Sequence, residues 1–411
     1  MMAVPWPRAS IGDCLEKFSL SSAPKLQTKD YKSHGRFPII DQGQDLIAGW
    51  TDDTRAVISS PLPLVVFGDH TRAFKFVDFP FVRGADGTQL LKPRAGFDPL
   101  YFYYACRSVD LQSRGYNRHL SILKEMEIPV PNSEEQTQIG RVLHTVEQTL
   151  QRQEPLLSSC LELKQVTMRE LFTRGLRGEP QKETEIGPVP ESWEVVRFES
   201  AREWLQYGTS TRCKVEPASY PVLRIPNIES GRVNPGELKY CDLDASDAQT
   251  YLLEEGDLLF IRTNGVLDRL GSCAVYSGVP KRALFASYLI RARMKRELCD
   301  PRFAAHFYSS QRGTSLVASR ATPAADGKYN MNTGTIDSLP LPLPQSIEEQ
   351  REIVSILDAI DRKIDLHRRK RAVLEELFKA LLHKLMTGEI RVADLDLSVL
   401  EPPGTPERVS E

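Results

Sequence analysis

Apolar residues recur at spacings of four and three along two long stretches of this chain. In the first, over residues 133–174, they fall at Ile139, Leu143, Val146, Leu150, Leu157 and Cys160. In the second, over residues 347–387, they fall at Ile353, Leu357, Ile360, Ile364, Leu374, Phe378, Leu381 and Leu385. The pattern predicts two amphipathic helices of about forty residues, each roughly 60 Å long, with one heptad-like apolar seam. Polar residues enter both seams: Gln153 and Thr167 in the first, His367 and Arg371 in the second. Ser133 is placed to cap the first helix, with Glu134 and Glu135 in its first turn, where the helix dipole favours carboxylates. Pro155 should kink or break it, and Gly175 should end it. The run His367-Arg-Arg-Lys-Arg371 reads as a solvated helix face, with docking to a partner as the competing reading. A single stripe on so long a helix needs a covering surface, and each helix is the other's nearest candidate in an antiparallel pair.

The two helices open alike. Residues 128–139 read Ile-Pro-Val-Pro-Asn-Ser-Glu-Glu-Gln-Thr-Gln-Ile, and residues 341–353 read Leu-Pro-Leu-Pro-Gln-Ser-Ile-Glu-Glu-Gln-Arg-Glu-Ile. Aligned on Glu-Glu-Gln, the apolar seams coincide, and the copies close on Leu171-Phe-Thr-Arg-Gly and Leu385-Met-Thr-Gly-Glu. A repeat this widely spaced means two similar halves, not a solenoid.

Before each helix lies a segment of short strand-like runs and turns, such as Leu64-Val-Val-Phe67 in the first and Tyr220–Ile225, Asp257–Ile261 and Ser287–Ile290 in the second. Asp98-Pro99 has the form of a helix start. Each segment reads as a compact α/β (α+β) domain. The expected organisation is a first domain over 1–131, a spacer helix over 132–175, a Pro/Gly-rich linker over 176–192, a second domain over 193–344, a second spacer helix over 345–388, and a flexible tail over 389–411. The fold class is therefore two α/β (α+β) domains separated by a pair of long antiparallel coiled-coil helices, with an internal pseudo-twofold repeat.

Composition narrows the partners only a little. The 411 residues carry 53 Lys and Arg against 55 Asp and Glu, so overall charge attracts no particular ligand. The seven cysteines are scattered, without Cys-x-x-Cys or zinc-finger spacing, which argues against a metal site and for a reducing cytoplasm. No apolar run is long enough to cross a membrane. No P-loop, Gly-x-Ser-x-Gly elbow or nuclease-like carboxylate cluster occurs, and Asp98-Pro-Leu-Tyr101 lacks the second proline of an adenine-methyltransferase motif.

The Pro-x-Pro…Glu-Glu-Gln opening, the long helix and the Leu-x-Thr-Gly close, occurring as Leu341-Pro-Leu-Pro…Glu348-Glu-Gln350…Leu385-Met-Thr-Gly388 with a degenerate copy over 128–175, resemble the DNA-specificity (S) subunit of type I restriction-modification enzymes. The resemblance runs to about residue 390. It implies two target-recognition domains, each reading one half of a split double-stranded DNA site, and helices that fix the spacing and dock two methyltransferase subunits and the restriction subunits. It implies no chemistry and no cofactor in this chain, since S-adenosylmethionine and ATP would belong to the partners. Pro155 departs from an uninterrupted coiled coil. A scaffold that assembles partners without reading DNA is the alternative.

Arg suits guanine, Asn and Gln suit adenine, and phosphates take Lys, Arg, Ser and Thr. On that basis the first domain offers Arg114, Tyr116, Asn117, Arg118 and His119, a polar run around a glycine, and His70 and Arg72 in the turn after Leu64–Phe67. The second offers Arg262, Thr263 and Asn264, then Lys328, Tyr329, Asn330 and Asn332, then Arg224 and Asn227, with Arg212 and Lys214 as phosphate candidates. Solvated turns, or a turn held by Asp69, are the competing readings, and the sequence leaves open whether the groups of the second domain share a face.

Overall fold

The computed structural model describes residues 6–18, 23–113, 115, 117–229, 231–324 and 327–396. The chain divides into two compact units, one of Met1–Pro155 with Arg368–Glu411 and one of Leu156–His367. These units do not follow the linear order expected from sequence, because each long helix gives its two ends to different units.

In the first unit, the run Leu64–Gly68 is buried at every residue and forms the central strand of three, between Phe74–Val77 and Thr88–Leu91. A four-stranded sheet lies in the same unit, ordered Gly49–Thr51, Phe37–Ile40, Phe81–Arg83 and Val57–Ile58. Helix α1 (Pro99–Ser108) starts as Asp98-Pro99 predicts: the Asp98 carboxylate accepts from the Tyr101 N–H at 2.8 Å, and α1 buries Tyr101, Phe102 and Tyr104. Helix α2 (Leu120–Glu125) leads into the strand Glu127–Pro129, which pairs with Arg8–Ser10. Helix α3 (Ser133–Gln151) is capped by Asn132, not by Ser133: the Asn132 side chain accepts from the Glu135 N–H at 2.9 Å. Ser133 is already helical, so its hydroxyl is one residue late for the cap.

Helix α3 stops at Gln151 and α4 (Gln153–Arg174) begins two residues on. Pro155 explains the break, since it has no N–H to give the Gln151 carbonyl and its ring crowds that group. Gly175 follows α4 with φ +65°, a left-handed end that a side chain would strain.

In the second unit, the segment expected as a linker is folded. Gln181–Lys182 pairs with Val189–Pro190, and Ile186 and Val189 enter the core. Glu194–Arg197 pairs with Pro340–Leu343. Helix α5 (Phe198–Ala201) precedes a six-stranded sheet ordered Arg202–Tyr207, Leu289–Met294, Leu258–Ile261, Cys273–Val275, Gly231–Val233 and Ile228–Glu229. Helix α6 (Ala245–Tyr251) packs near a three-stranded sheet centred on Tyr220–Leu223. Helices α7 (Pro301–Ser309) and α8 (Gln311–Ala318) follow, with Asp300 capping α7. Helix α9 (Thr333–Asp337) returns the chain to Pro340–Leu343. Helix α10 spans Ile347–Thr387 without a break.

The predicted seams are the buried faces. In the second unit, Met168, Leu171 and Phe172 of α4 share one core with Ile353, Val354 and Leu357 of α10, and with Trp193 and Phe303. In the first unit, Ile139, Leu143 and Val146 of α3 pack with Phe378, Leu381 and Leu385 of α10. The partners run in opposite directions: Glu135 meets Arg391 at 2.7 Å while Glu154 meets Arg371. The run 368–370 is exposed, as a solvated face should be. Within residues 389–396, expected in the flexible tail, Val392 is 4% exposed and the Arg391 guanidinium lies 4.4 Å from the Trp6 ring centroid. The rest of the expected tail lies outside the described residues.

The Glu-Glu-Gln triplets make the same bonds in both units. Trp6 donates its indole N–H to Glu135 at 3.2 Å, and Trp193 donates to Glu349 at 3.2 Å. The Gln136 carbonyl accepts from the Asp98 N–H at 2.9 Å, and the Gln350 carbonyl from the Asp300 N–H at 2.9 Å. Each glutamine thus fixes the residue that caps α1 or α7, and both are almost fully buried. One buried ion pair joins the two long helices in the second unit. Lys164 of α4 donates to both oxygens of Asp361 of α10, at 2.7 and 2.9 Å.

Gln136→Ala should destabilise the first unit and Gln350→Ala the second, each by about 1–3 kcal/mol, because each strands buried polar groups. Two urea transitions, followed by hydrogen exchange in each unit, would measure this. Lys164→Met should cost the second unit about 3 kcal/mol by leaving Asp361 underpaired, and the double change Lys164→Met with Asp361→Leu should recover most of it.

Candidate nucleic-acid interface

The strand Leu64–Gly68 is buried on both faces and so delivers the residues after it to one end of its sheet. There Asp69, 2% exposed, turns back and organises the second candidate loop. One Asp69 carboxylate oxygen accepts from the backbone N–H groups of His119 and Leu120, both at 2.8 Å. Its carbonyl oxygen lies 2.9 Å from His119 Nδ1. Asp69 is therefore the cap of α2, bonded fifty residues away and not to nearby backbone, and it ties the turn with His70 and Arg72 to the loop ending at His119. Arg72, at φ +62°, donates to the Leu111 carbonyl at 2.8 Å, closing the loop from its other end. Asn117 and Arg118 are exposed there, while Arg114 and Tyr116 lie outside the described residues. His119 is fully buried, so it is a support of the loop and does not present its ring to a ligand.

The second unit builds a comparable edge. The central strand Leu258–Ile261 is wholly buried, and Thr263–Asn264 after it pairs with Tyr329–Asn330, Thr263 opposite Asn330 and Asn264 opposite Tyr329. The groups 262–264 and 328–330 therefore share one small sheet, completed by Thr322–Pro323. Arg262 lies with its guanidinium 4.7 Å from the Tyr207 ring centroid. Stacking of this kind, with a bond from the guanidinium to the Ser287 carbonyl at 3.4 Å, holds the planar fork in one orientation. Lys328 is exposed at the turn. Asn332 is engaged as the cap of α9, its side chain accepting from the Thr335 N–H at 2.8 Å.

Other candidates are placed differently. Asn227 is 1% exposed and is spent on the backbone, accepting from the Arg224 N–H at 2.9 Å and donating to the Asn234 carbonyl at 3.0 Å. Arg224 donates to the Glu237 carbonyl at 3.2 Å. This pair shapes the 224–237 loop, a role that the Arg-x-x-Asn spacing fits as well as it fits base reading. Arg212 is exposed. Lys214 meets Asp242 at 3.0 Å, and the Lys214 ammonium, with Ser219, holds the Asp242 carboxyl below the usual range. A lysine so neutralised is a weaker phosphate ligand.

Two exposed aromatics escaped the sequence reading. Tyr207 is 38% exposed and Tyr288 57% exposed. Tyr207 ends the strand Arg202–Tyr207, and Tyr288 lends its carbonyl to the Arg262 N–H at 3.0 Å, so both flank the Arg262 edge. A tyrosine at a strand end before Gly208 was the available signal.

Among the described residues, His306, Asp358 and Asp361 converge as potential metal ligands. Side chains of the protein already engage them. Lys164 holds Asp361, Arg232 comes to 3.8 Å of it, and His306 lies 3.1 Å from Asp358. Burial alone would raise the Asp358 carboxyl, but His306, Arg302 and Arg362 hold it below its ordinary value. The cluster reads as an ion network between α7 and the long helices. Among the described residues, no helix is long and apolar enough to cross a membrane.

Comparison with known proteins follows the same lines. Residues 4–157 and 190–376 match the family described as type I restriction modification DNA specificity domain. A putative type I restriction enzyme MjaX specificity subunit of Methanocaldococcus jannaschii is 28% identical over 210 residues, 50% of this chain and 48% of that protein. The match therefore spans about half the length of that relative. The MjaVIII specificity subunit of the same organism is 25% identical over 316 residues, 73% of this chain and 72% of its own. The crystal structure of a type I restriction-modification S subunit from M. genitalium superposes with a TM-score of 0.64 at 16% identity, covering 93% of this chain and 96% of that one. That likeness gives the fold: a two-domain architecture of the S-subunit kind. With the family matched over both halves and the fold shared, the chain belongs to the DNA specificity subunits of type I restriction-modification systems.

Proposed function

We propose that this chain reads a bipartite double-stranded DNA target, one half-site per domain, and performs no chemistry itself. One observation carries the reading: the two units repeat the Trp–Glu and Asp–Gln bonds that join domain to helix, yet carry different residues at the strand ends. Gly68-Asp-His-Thr-Arg72 stands in one and Arg262-Thr-Asn264 in the other. Matched supports with unmatched edges are what two readers of unlike sequences need.

On this reading, residues 1–131 and 193–344 are the target-recognition domains. Residues 132–175 and 345–388 are the spacer helices, an antiparallel coiled coil with pseudo-twofold symmetry. The spacer holds the heads about one or more helical turns of DNA apart and leaves the intervening bases unread. Net charge near zero implies that other subunits surround the duplex and supply part of the affinity. Two methyltransferase subunits and the restriction subunits dock on the chain, bringing S-adenosylmethionine and ATP with them, in the cytoplasm where the DNA lies.

Base contacts fall to Asn117 and Arg118 in the first head and to Arg262, Thr263, Asn264 and Asn330 in the second. Phosphate contacts fall to Lys328, Arg72 and Arg212.

Arg262→Ala should relax recognition of one half-site about tenfold and leave the other intact, and Arg118→Ala should do the converse. Selection from randomised duplexes by the assembled complex would show it. Replacing residues 193–340 by the matching segment of another member should change one half of the target only. Equal binding to all duplexes by the unaltered complex would instead favour a scaffold without sequence reading.

A further inference from the structure

Beyond the repeat of the long helices, a shorter one lies at the reading edges. Tyr116-Asn117 in the first half recurs as Tyr329-Asn330 in the second. The two asparagines occupy the same place in the fold. Asn117 is two residues before His119, which immediately precedes α2, and Asn330 is two residues before Asn332, which immediately precedes α9. Each short helix anchors by one fully buried side chain, Leu123 or Ile336. Each then leads to the strand that pairs with the first strand of its unit, Glu127–Pro129 with Arg8–Ser10 and Pro340–Leu343 with Glu194–Arg197. The chain just after each asparagine is also bonded to the residue that leaves the buried central strand. The His119 N–H donates to the Asp69 carbonyl at 3.0 Å, and the Met331 N–H to the Arg262 carbonyl at 2.7 Å.

We propose that Asn117 and Asn330 read the same base, an adenine, at matching positions of the two half-sites. The proposal rests on the bipartite reading above and adds to it the identity of one base in each half. Two heads built alike and laid on the duplex alike bring an identical side chain at an identical place to the same edge of a base pair. Their neighbours differ, Asp69 to Arg72 against Arg262 to Asn264, and so give each half its own sequence. The asparagine amide carries one donor group and one acceptor, which match the N6 amino group and N7 of adenine. Guanine shows two acceptors on that edge. A phosphate would use only the donor, and phosphate contacts fall to other side chains, such as Lys328 two residues before Asn330.

The test is selection from a duplex library, randomised across both half-sites, by the full chain in complex with its modification subunits. The unaltered complex should select adenine once in each half, at positions related by the symmetry of the site. Asn330→Ala should erase that preference in one half by about tenfold or more and keep the other, and Asn117→Ala should do the reverse. The isosteric Asn330→Asp keeps the shape of the loop and should move the preference towards cytosine, whose amino group donates to a carboxylate. Unchanged preferences, or weaker binding to every sequence alike, would overturn the assignment. If Asn330→Ala disturbs both halves, Asn330→Asp decides, and retention of adenine there overturns it. A complex that selects no split sequence would refute the bipartite reading itself.

Discussion

Each long helix begins by gripping the globular segment before it. Glu135 and Glu349 take the indole N–H of a tryptophan from the start of the domain, and Gln136 and Gln350 take the backbone N–H of the aspartate that caps α1 or α7. Three things are fixed at once: the first residues of the domain, the aromatic helix in its core, and the first turn of the rod. Both glutamines are buried, so a lost bond there cannot be replaced by water. The domain edge and the helix consequently hold one geometry, and any loop carried by the domain has a defined position relative to the first turn of its helix.

The long helices were legible because their signal is periodic and long. Every aligned seam position from Ile139 to Val146 and from Ile353 to Leu357 is buried. Pro155 was legible too, since a missing donor acts at a known distance along the helix. The sharing of helices between units was not legible, because a heptad pattern says that a stripe is covered and not by which segment. Lys164 lay hidden for a related reason: a lysine reads as solvated until its partner, 197 residues away, is known. The hairpin at 181–190 was mistaken for a linker because Pro and Gly mark turns whether or not the turn is packed.

At the candidate interface, residue chemistry identified the right segments and misjudged individual side chains. Arg262–Asn264 and Tyr329–Asn330 meet as neighbouring strands, a pairing that their composition alone does not encode. His119, Asn227 and Asn332 share the polar character of their neighbours but are consumed in holding backbone. The difference lies in tertiary bonds, Asp69 to His119 above all, and such bonds span too much sequence to be read from a local pattern.

The allotment of helix halves also sets an order of events during synthesis. Leu156–His367 is one uninterrupted stretch, so the second unit has all its parts as soon as that stretch has left the ribosome. The first unit, though made earlier, waits for Arg368–Glu411 to complete it. Until then Ile139, Leu143 and Val146 lack the cover of Phe378, Leu381 and Leu385. At ordinary translation speeds that wait is on the order of tens of seconds. The nascent chain therefore passes through a stage with a sticky, half-built N-terminal lobe, which chaperones would shield and which a second unfinished copy could complete by exchange.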